Sequence, residues 1–366
     1  MPTKKLSLFL PAFLLVILIS SCKDKIKPVT QEEAKEFAKQ IEISIRKGDA
    51  ALLNDAIDTK IMIKKMDLPA GAKTKGMNKG LKEEMKFGNA IVNSLAGKGN
   101  YDLVKQYEKD KVQHLVFRMF KDYMINYHDL ELINTNGKTK IGDVYVYLTG
   151  ENLSETMRGL YLQMDENIGK TDGASQWLKK IPEIRTLITA NRYDEAKNIF
   201  NEIPKNIRAG HAFQLLHMQI ATGLGAEEYD KAISEYKILF PNDRAIPLLM
   251  IDAYVARHDY DKALQSVNEL DSMINKDPLL DLYRAFCYNL LYNYEKQEEN
   301  LERLVNTMPY FEEGLTELIK FYLKQNKYDL ARPFVERFKT KSEFNQQGMT
   351  DLLNRYPEYN SDNTNK

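Results

Sequence analysis

This chain has little of what most catalytic or nucleic-acid-binding proteins display. Only two cysteines occur in 366 residues, Cys22 and Cys287. Cys22 lies at the end of an apolar leader, so no intramolecular disulfide is expected even in an oxidising compartment. Five scattered histidines give no metal-ligand spacing, and neither a metal nor a cofactor is expected. Lys plus Arg equals Asp plus Glu at 52 each, so no positive field points to nucleic acid. Nothing resembles a nucleophile elbow, a phosphate loop or a paired-carboxylate motif, so the chain reads as a non-enzyme. Its one long apolar run, Leu6 to Ile19, is too short for a comfortable membrane span.

That run is informative for another reason. Lys4 and Lys5 precede it and Ile19-Ser20-Ser21-Cys22 closes it, the charged, apolar, small-residue order of a secretory signal. The last four residues resemble the lipobox of bacterial lipoproteins. The resemblance implies a signal peptide over residues 1–21 and a diacylglyceryl thioether and acylated amine on Cys22. It also implies a lipidated tether over 22–29. Such acyl chains exceed the two-signal requirement for stable anchoring, each buried methylene contributing about 0.8 kcal/mol. Residue 23 is lysine rather than aspartate, against inner-membrane retention. Cys22-Lys23-Asp24 is similar to the surface-export signal of Bacteroidetes lipoproteins. The expected location is the cell envelope, on the outer membrane, with periplasmic and surface faces both open.

The second half of the chain repeats itself. Tyr193-Asp194-Glu195-Ala196 returns as Tyr229-Asp230-Lys231-Ala232 and Tyr260-Asp261-Lys262-Ala263. Tyr294-Glu295-Lys296-Gln297 and Tyr328-Asp329-Leu330-Ala331 follow. The tyrosine spacings are 36, 31, 34 and 34. A period near 34 is the length of one helix–turn–helix unit. Tyr254, Tyr288 and Tyr322 stand six residues before the last three markers, late in the first helix of each pair. Four residues after each small position come Phe200, Tyr236, Val267, Leu301 and Val335, keeping one stripe apolar. Prolines 204, 241, 278 and 309 fall where second helices should stop.

Residues 175–342 therefore resemble a tetratricopeptide array of about five helix pairs, an all-α superhelix, with a capping helix over 343–355 and a disordered tail over 356–366. Gln297 departs from the small-residue rule. In that family ligands bind the concave side of the first helices. Pro278 serves as position one of the fourth unit. Stepping by 34, the resemblance implies a groove formed by Leu248, Asp252 and Val255, then Leu282, Phe286 and Asn289, then Thr316, Lys320 and Leu323. The chaperone-type carboxylate clamp is absent, because Leu248 and Leu282 stand where lysines would be wanted. A groove of this mixed kind suits a helix or an extended apolar peptide of a protein partner.

Residues 30–167 read as an α+β domain. Thr30 with Glu33 makes a capping box, and Ala34, Phe37, Ala38 and Ile41 form an apolar stripe. Gly48-Asp49 ends that helix and a second follows through Leu52, Leu53 and Ile57. Residues 68–79 read as a loop and Leu81 to Leu95 as a third helix. Strands are expected over Tyr101–Tyr107, Val112–Phe120, Ile125–Ile133 and Ile141–Leu148, with Asn136-Gly137 as a two-residue hairpin turn. Helices before an antiparallel meander, with the Arg46-Lys47-Gly48-Asp49-Ala50 phrase, resemble the nuclear-transport-factor-2-like or cystatin-like cone.

A two-residue turn pairs Thr135 with Lys138. It then places His128 opposite Tyr145, Leu130 opposite Asp143 and Asn126 opposite Tyr147, all on one face. That face is an alternative site: a polar cone pocket of Asn126, His128, Asp143, Tyr145 and Tyr147, for a small molecule or for acid–base chemistry. The two readings are a lipid-anchored protein-binding scaffold and, as the alternative, a ligand-binding or enzymatic cone with the repeats as a docking or dimerisation arm. Cys287, between Phe286 and Tyr288, reads as a buried, inert thiol.

Overall fold

A computed structural model describes residues 27–68, 77, 80–81, 85–164, 177 and 180–361. Cys22, the leader before it, most of the 68–79 loop and the last five residues lie outside the described residues. Among the described residues no helix is long and apolar enough to cross a membrane.

The amino-terminal half is α+β. Helix α1, Gln31–Arg46, starts at the Thr30–Glu33 capping box, which satisfies two end amides reciprocally. It buries Ala34, Phe37, Ala38, Ile41 and Ile45. Short helices α2 (Ala51–Ala56), α3 (Thr59–Lys65) and α4 (Phe87–Leu95) follow. Then come β1 (Asn100–Lys109), β2 (Val112–Lys121), β3 (Met124–Thr135), β4 (Lys138–Val146) and the two-residue β5 (Glu151–Asn152). They pair antiparallel in sequence order. Asp110-Lys111, Asp122-Tyr123 and Asn136-Gly137 join the first four strands, and all six residues have positive φ. Such turns follow the right-handed twist of the flanking strands.

Both faces of the sheet are covered. Tyr101, Leu115, Phe117, Leu130, Leu132 and Val144 pack with α1, α2 and α4. Val116, Phe120, Ile125, Tyr127, Tyr145 and Tyr147 join the core of the carboxy-terminal helices. One expected register is corrected here. Thr135↔Lys138 through Leu132↔Ile141 pair as the turn dictates, and then Gly142 forms a bulge. Beyond it Glu131 faces Asp143, Leu130 faces Val144, Asp129 faces Tyr145 and His128 faces Val146. One extra residue moves every later β4 side chain to the other face. His128 therefore shares a face with Val144 and Val146, and Asp143, Tyr145 and Tyr147 lie across the sheet from it.

Helix α5 (Leu153–Met164) leads to the helical half. Five pairs follow: α6 (Lys180–Thr189) with α7 (Tyr193–Glu202), and, after the single turn α8 (Lys205–Arg208), α9 (His211–Leu224) with α10 (Ala226–Leu239). Next come α11 (Ile246–Ala256) with α12 (Tyr260–Ile274), α13 (Leu280–Leu290) with α14 (Tyr294–Thr307), and α15 (Glu312–Lys324) with α16 (Tyr328–Lys339). Four of the five marker tyrosines open the second helix of their pair; Tyr229 is the exception, entering three residues after α10 begins. Ala196, Ala232, Ala263 and Ala331 are fully buried where paired helices approach. Phe200, Tyr236, Val267, Leu301 and Val335 fill the same stripe one turn later. Helix α17 (Gln346–Leu353) packs over the last pair. The tail expectation is corrected for residues 357–361: they form the short helix α18 (Pro357–Ser361), and Tyr359 is buried with the Arg332 guanidinium over its ring.

The sheet meets the helices at a repeated position. Asp243, Asp277 and Phe311 stand 34 residues apart, each just before a first helix. Asp243 and Asp277 each accept an amide two residues on, from Ala245 at 2.9 Å and Leu279 at 3.1 Å. Asp277 gives its remaining bonds to the sheet, and Asp243 shares its between the sheet and His211 and Tyr236 of the helical half. Tyr145 Oη donates to Asp243 Oδ1 at 2.5 Å, and Tyr127 Oη donates to Asp277 Oδ2 at 2.8 Å. At the third position Phe311 meets Phe120 edge to face, with centroids 5.3 Å apart.

Candidate functional site: a groove along the first helices

A half-open cavity of about 640 Å³ runs across α11, α13 and α15. First helices supply most of its lining, and Tyr294, Gln297 and Leu301 of the second helix α14 add to it. Ile251, Leu282, Ala285, Leu301 and Phe321 make an apolar floor, all of them buried. Phe286 stands on the wall, 52% exposed, a high value for a phenylalanine in a protein with a well-filled core. Asp252, Asn289, Glu317, Lys320 and Lys324 supply the polar edge.

Six of the nine expected groove residues line this cavity: Asp252, Val255, Leu282, Phe286, Asn289 and Lys320. Three do not. Leu248 and Leu323 are core residues, 6% and 0% exposed, because they turn toward the cluster that unites sheet and helices. Thr316 is half-buried outside the lining. Leu282 does both jobs, being 6% exposed while presenting an edge to the groove.

Tyr123 was not among the expected groove residues. It comes from the β2–β3 turn and closes one end of the cavity, where its φ of 63° is unusual for an aromatic residue. Two bonds hold it there. Its hydroxyl donates to Glu317 Oε1 at 2.8 Å, and its carbonyl accepts from Tyr283 Oη at 2.8 Å. No local pattern could reveal this contact between residues 160 and 194 positions apart.

The electrostatics of the groove are uneven. Lys320 pairs with Glu317 at 2.8 Å, in a half-exposed setting where such pairs contribute little. Asp252 is exposed and has no hydrogen-bond or ionic partner among the described residues, and the groove walls around it push its carboxyl up from the ordinary value. Cys287 lies under the groove, 1% exposed, its thiol pushed up to about 11 by burial, which leaves it a poor nucleophile. A second hollow of about 330 Å³ continues past Asp252 between α9 and α11, with Leu215, Met218 and Met250 in its lining.

The alternative pocket is divided by the bulge. His128 is 5% exposed and enclosed, with Tyr101 Oη 3.2 Å from Nδ1 and Asn126 Nδ2 3.1 Å from Nε2. Phe87 packs beside the ring at 5.4 Å between centroids. Burial lowers its pKa to about 4, so the ring is neutral near pH 7 and filled in rather than lining a cavity. Asp143 is committed to the start of α5, accepting from Ser154 Oγ at 2.6 Å and from the Ser154 amide at 3.1 Å. Tyr145 and Tyr147 point to the helical half, under the Arg244 guanidinium.

Arg244 belongs to a polar seam between the halves. Asp129, 2% exposed, accepts from Tyr107 Oη at 2.5 Å and faces His114 Nδ1 at 3.0 Å, with Arg244 completing the cluster. These donors hold its carboxyl below the ordinary range despite burial. The hydroxyl in this cluster, Tyr107 Oη, is committed to Asp129, and burial together with that carboxylate pushes the phenol pKa up, which leaves it a poor nucleophile. Among the described residues no group of three or more His, Cys, Asp or Glu is arranged to hold a metal ion.

No protein-family model, curated protein or solved structure matches this chain.

Proposed function

We propose that this protein is a non-catalytic binding scaffold of the bacterial cell envelope. In this reading Cys22 carries the lipid anchor, and the helical half is a tetratricopeptide superhelix that grips a segment of another protein. The sheet and its helices form a cone-like domain that braces the array. The observation that carries the reading is the groove over α11, α13 and α15 with Phe286 exposed at its centre. An aromatic side chain on a concave apolar surface is the usual anchor of a peptide interface. The enclosed His128 and the division of the cone residues between two faces weigh against the ligand-binding alternative.

Two experiments test the two halves of the proposal. A photoreactive amino acid at position 286 should cross-link to a protein partner in intact envelopes, and the same probe at exposed Ile238, outside the groove, should not. For the anchor, Cys22→Ser should abolish lipid mass on the amino-terminal peptide and release the protein from membranes. Wild-type protein found free of lipid would remove the anchor from the proposal and leave the groove untouched.

A further inference from the structure

Three residues at the same repeat position, 34 apart, present different chemistry to one groove: Asp252 on α11, Phe286 on α13 and Lys320 on α15. A bound chain crossing these helices meets a carboxylate, an aromatic ring and an ammonium in that order. Asp252 is the informative member. Its carboxylate is exposed in the groove lining with no arginine, lysine or amide bonded to it, so a ligand that covers it without a counter-charge must bury an unpaired charge. At the far end Lys320 has a partner in Glu317, and exposed Lys324, one turn on, has none among the described residues.

We infer that the groove is selective for peptide segments carrying a basic side chain, an apolar side chain and an acidic side chain in sequence. The basic group sits on Asp252, the apolar one on Phe286, and the acidic one reaches Lys324 and Lys320. This inference rests on the scaffold reading and adds to it the chemistry of the occupant. Charge complementarity argues for a peptide of mixed sign rather than a wholly apolar helix. An apolar helix would bury Asp252 without a counter-charge, and a wholly acidic segment would be repelled by it.

The test uses the full-length protein in detergent and a random peptide library. Wild-type protein should enrich peptides with Lys or Arg, then an apolar residue, then Asp or Glu, in either chain direction. Asp252→Lys should bind those peptides about tenfold more weakly, the scale of losing one partly desolvated charge pair. Panned by itself, Asp252→Lys should select an acidic residue in place of the basic one. Circular dichroism confirms that each variant is folded. Enriched peptides that need Phe286 but lack a basic residue, or bind Asp252→Lys equally well, would overturn this inference and spare the groove. Peptides indifferent to Phe286→Ala, or no enrichment over bare resin, would contradict the groove reading itself.

Discussion

The hydroxyl of Tyr127, in the middle of the sheet, donates to the Asp277 carboxylate at the entry to a first helix 150 residues away. Arg118, on the neighbouring strand, bonds Asp277 Oδ1 at 2.5 Å and Asp102 Oδ2 at 2.8 Å. Tyr127, Arg118 and Asp277 are all buried, so the junction between the halves contains a paired charge and not only apolar surface. Tyr145 with Asp243 repeats the arrangement one helix pair earlier. The sheet thus holds the array at two equivalent aspartates, and with Tyr123 it fixes the edge of the groove.

Removing this junction should cost stability in proportion to the charge left unpaired. Tyr127→Phe deletes one hydrogen bond to a charged group and should cost about 1.5–3 kcal/mol. Asp277→Ala leaves the buried Arg118 guanidinium with only the partly exposed Asp102 and should cost about 3 kcal/mol, the low end for breaking a buried pair. Urea unfolding followed by circular dichroism measures both. Equal and small losses would show that the seam is solvated and that the halves are joined by apolar packing alone.

His128 gives a pH signature. Its pKa falls from the ordinary 6.5 to about 4 on folding, with burial as the cause. The unfolded chain therefore binds more protons between those values, so the contribution is intact above pH 6.5 and is lost as pH falls toward 4. The loss should total about 3 kcal/mol. His128→Gln should flatten the stability–pH slope between pH 6.5 and 4. The Asp243 carboxyl, held near about 2 by His211, Tyr145 and Tyr236, should act only below the ordinary aspartate range. An unchanged slope in His128→Gln would place the ring in water.

Ala263 is fully buried at the crossing of α11 and α12. Ala263→Leu should overpack that crossing and cost about 1–3 kcal/mol, loosening the neighbouring pairs with it. Thermal melts compare the variant with wild type. A melt identical to wild type would contradict the close approach that the small residue permits.

How much of this was legible in the sequence depends on how local the signal was. The repeat phrase located four helix starts and every buried small position except Gln297, because one alanine per pair is a short-range packing rule. Gln297 leaves its Oε1 buried without a partner, the physical trace of that departure. The capping box at Thr30 and the Asn136-Gly137 turn were equally local. The bulge at Gly142 was not, since the 3.0 Å approach of Ile133 to its missing Cβ depends on the partner strand. That single residue undid the proposed polar pocket. Leu248 and Leu323 were misplaced for a related reason: repeat stepping identifies the concave side but not the part that a second domain covers. Tyr123 carried no signal at all, being one hairpin residue among three similar turns.

The most direct test of the scaffold reading is the affinity of a cross-linked partner, once recovered, for three folded proteins: wild type, Phe286→Ala and His128→Ala. Phe286 is half exposed, so its truncation opens no core cavity, unlike that of buried Leu282. Phe286→Ala should weaken binding by about 2 kcal/mol, roughly thirtyfold, and His128→Ala should leave it unchanged. Loss of binding in His128→Ala alone, with Phe286→Ala at wild-type affinity, would move the site to the cone and contradict the scaffold.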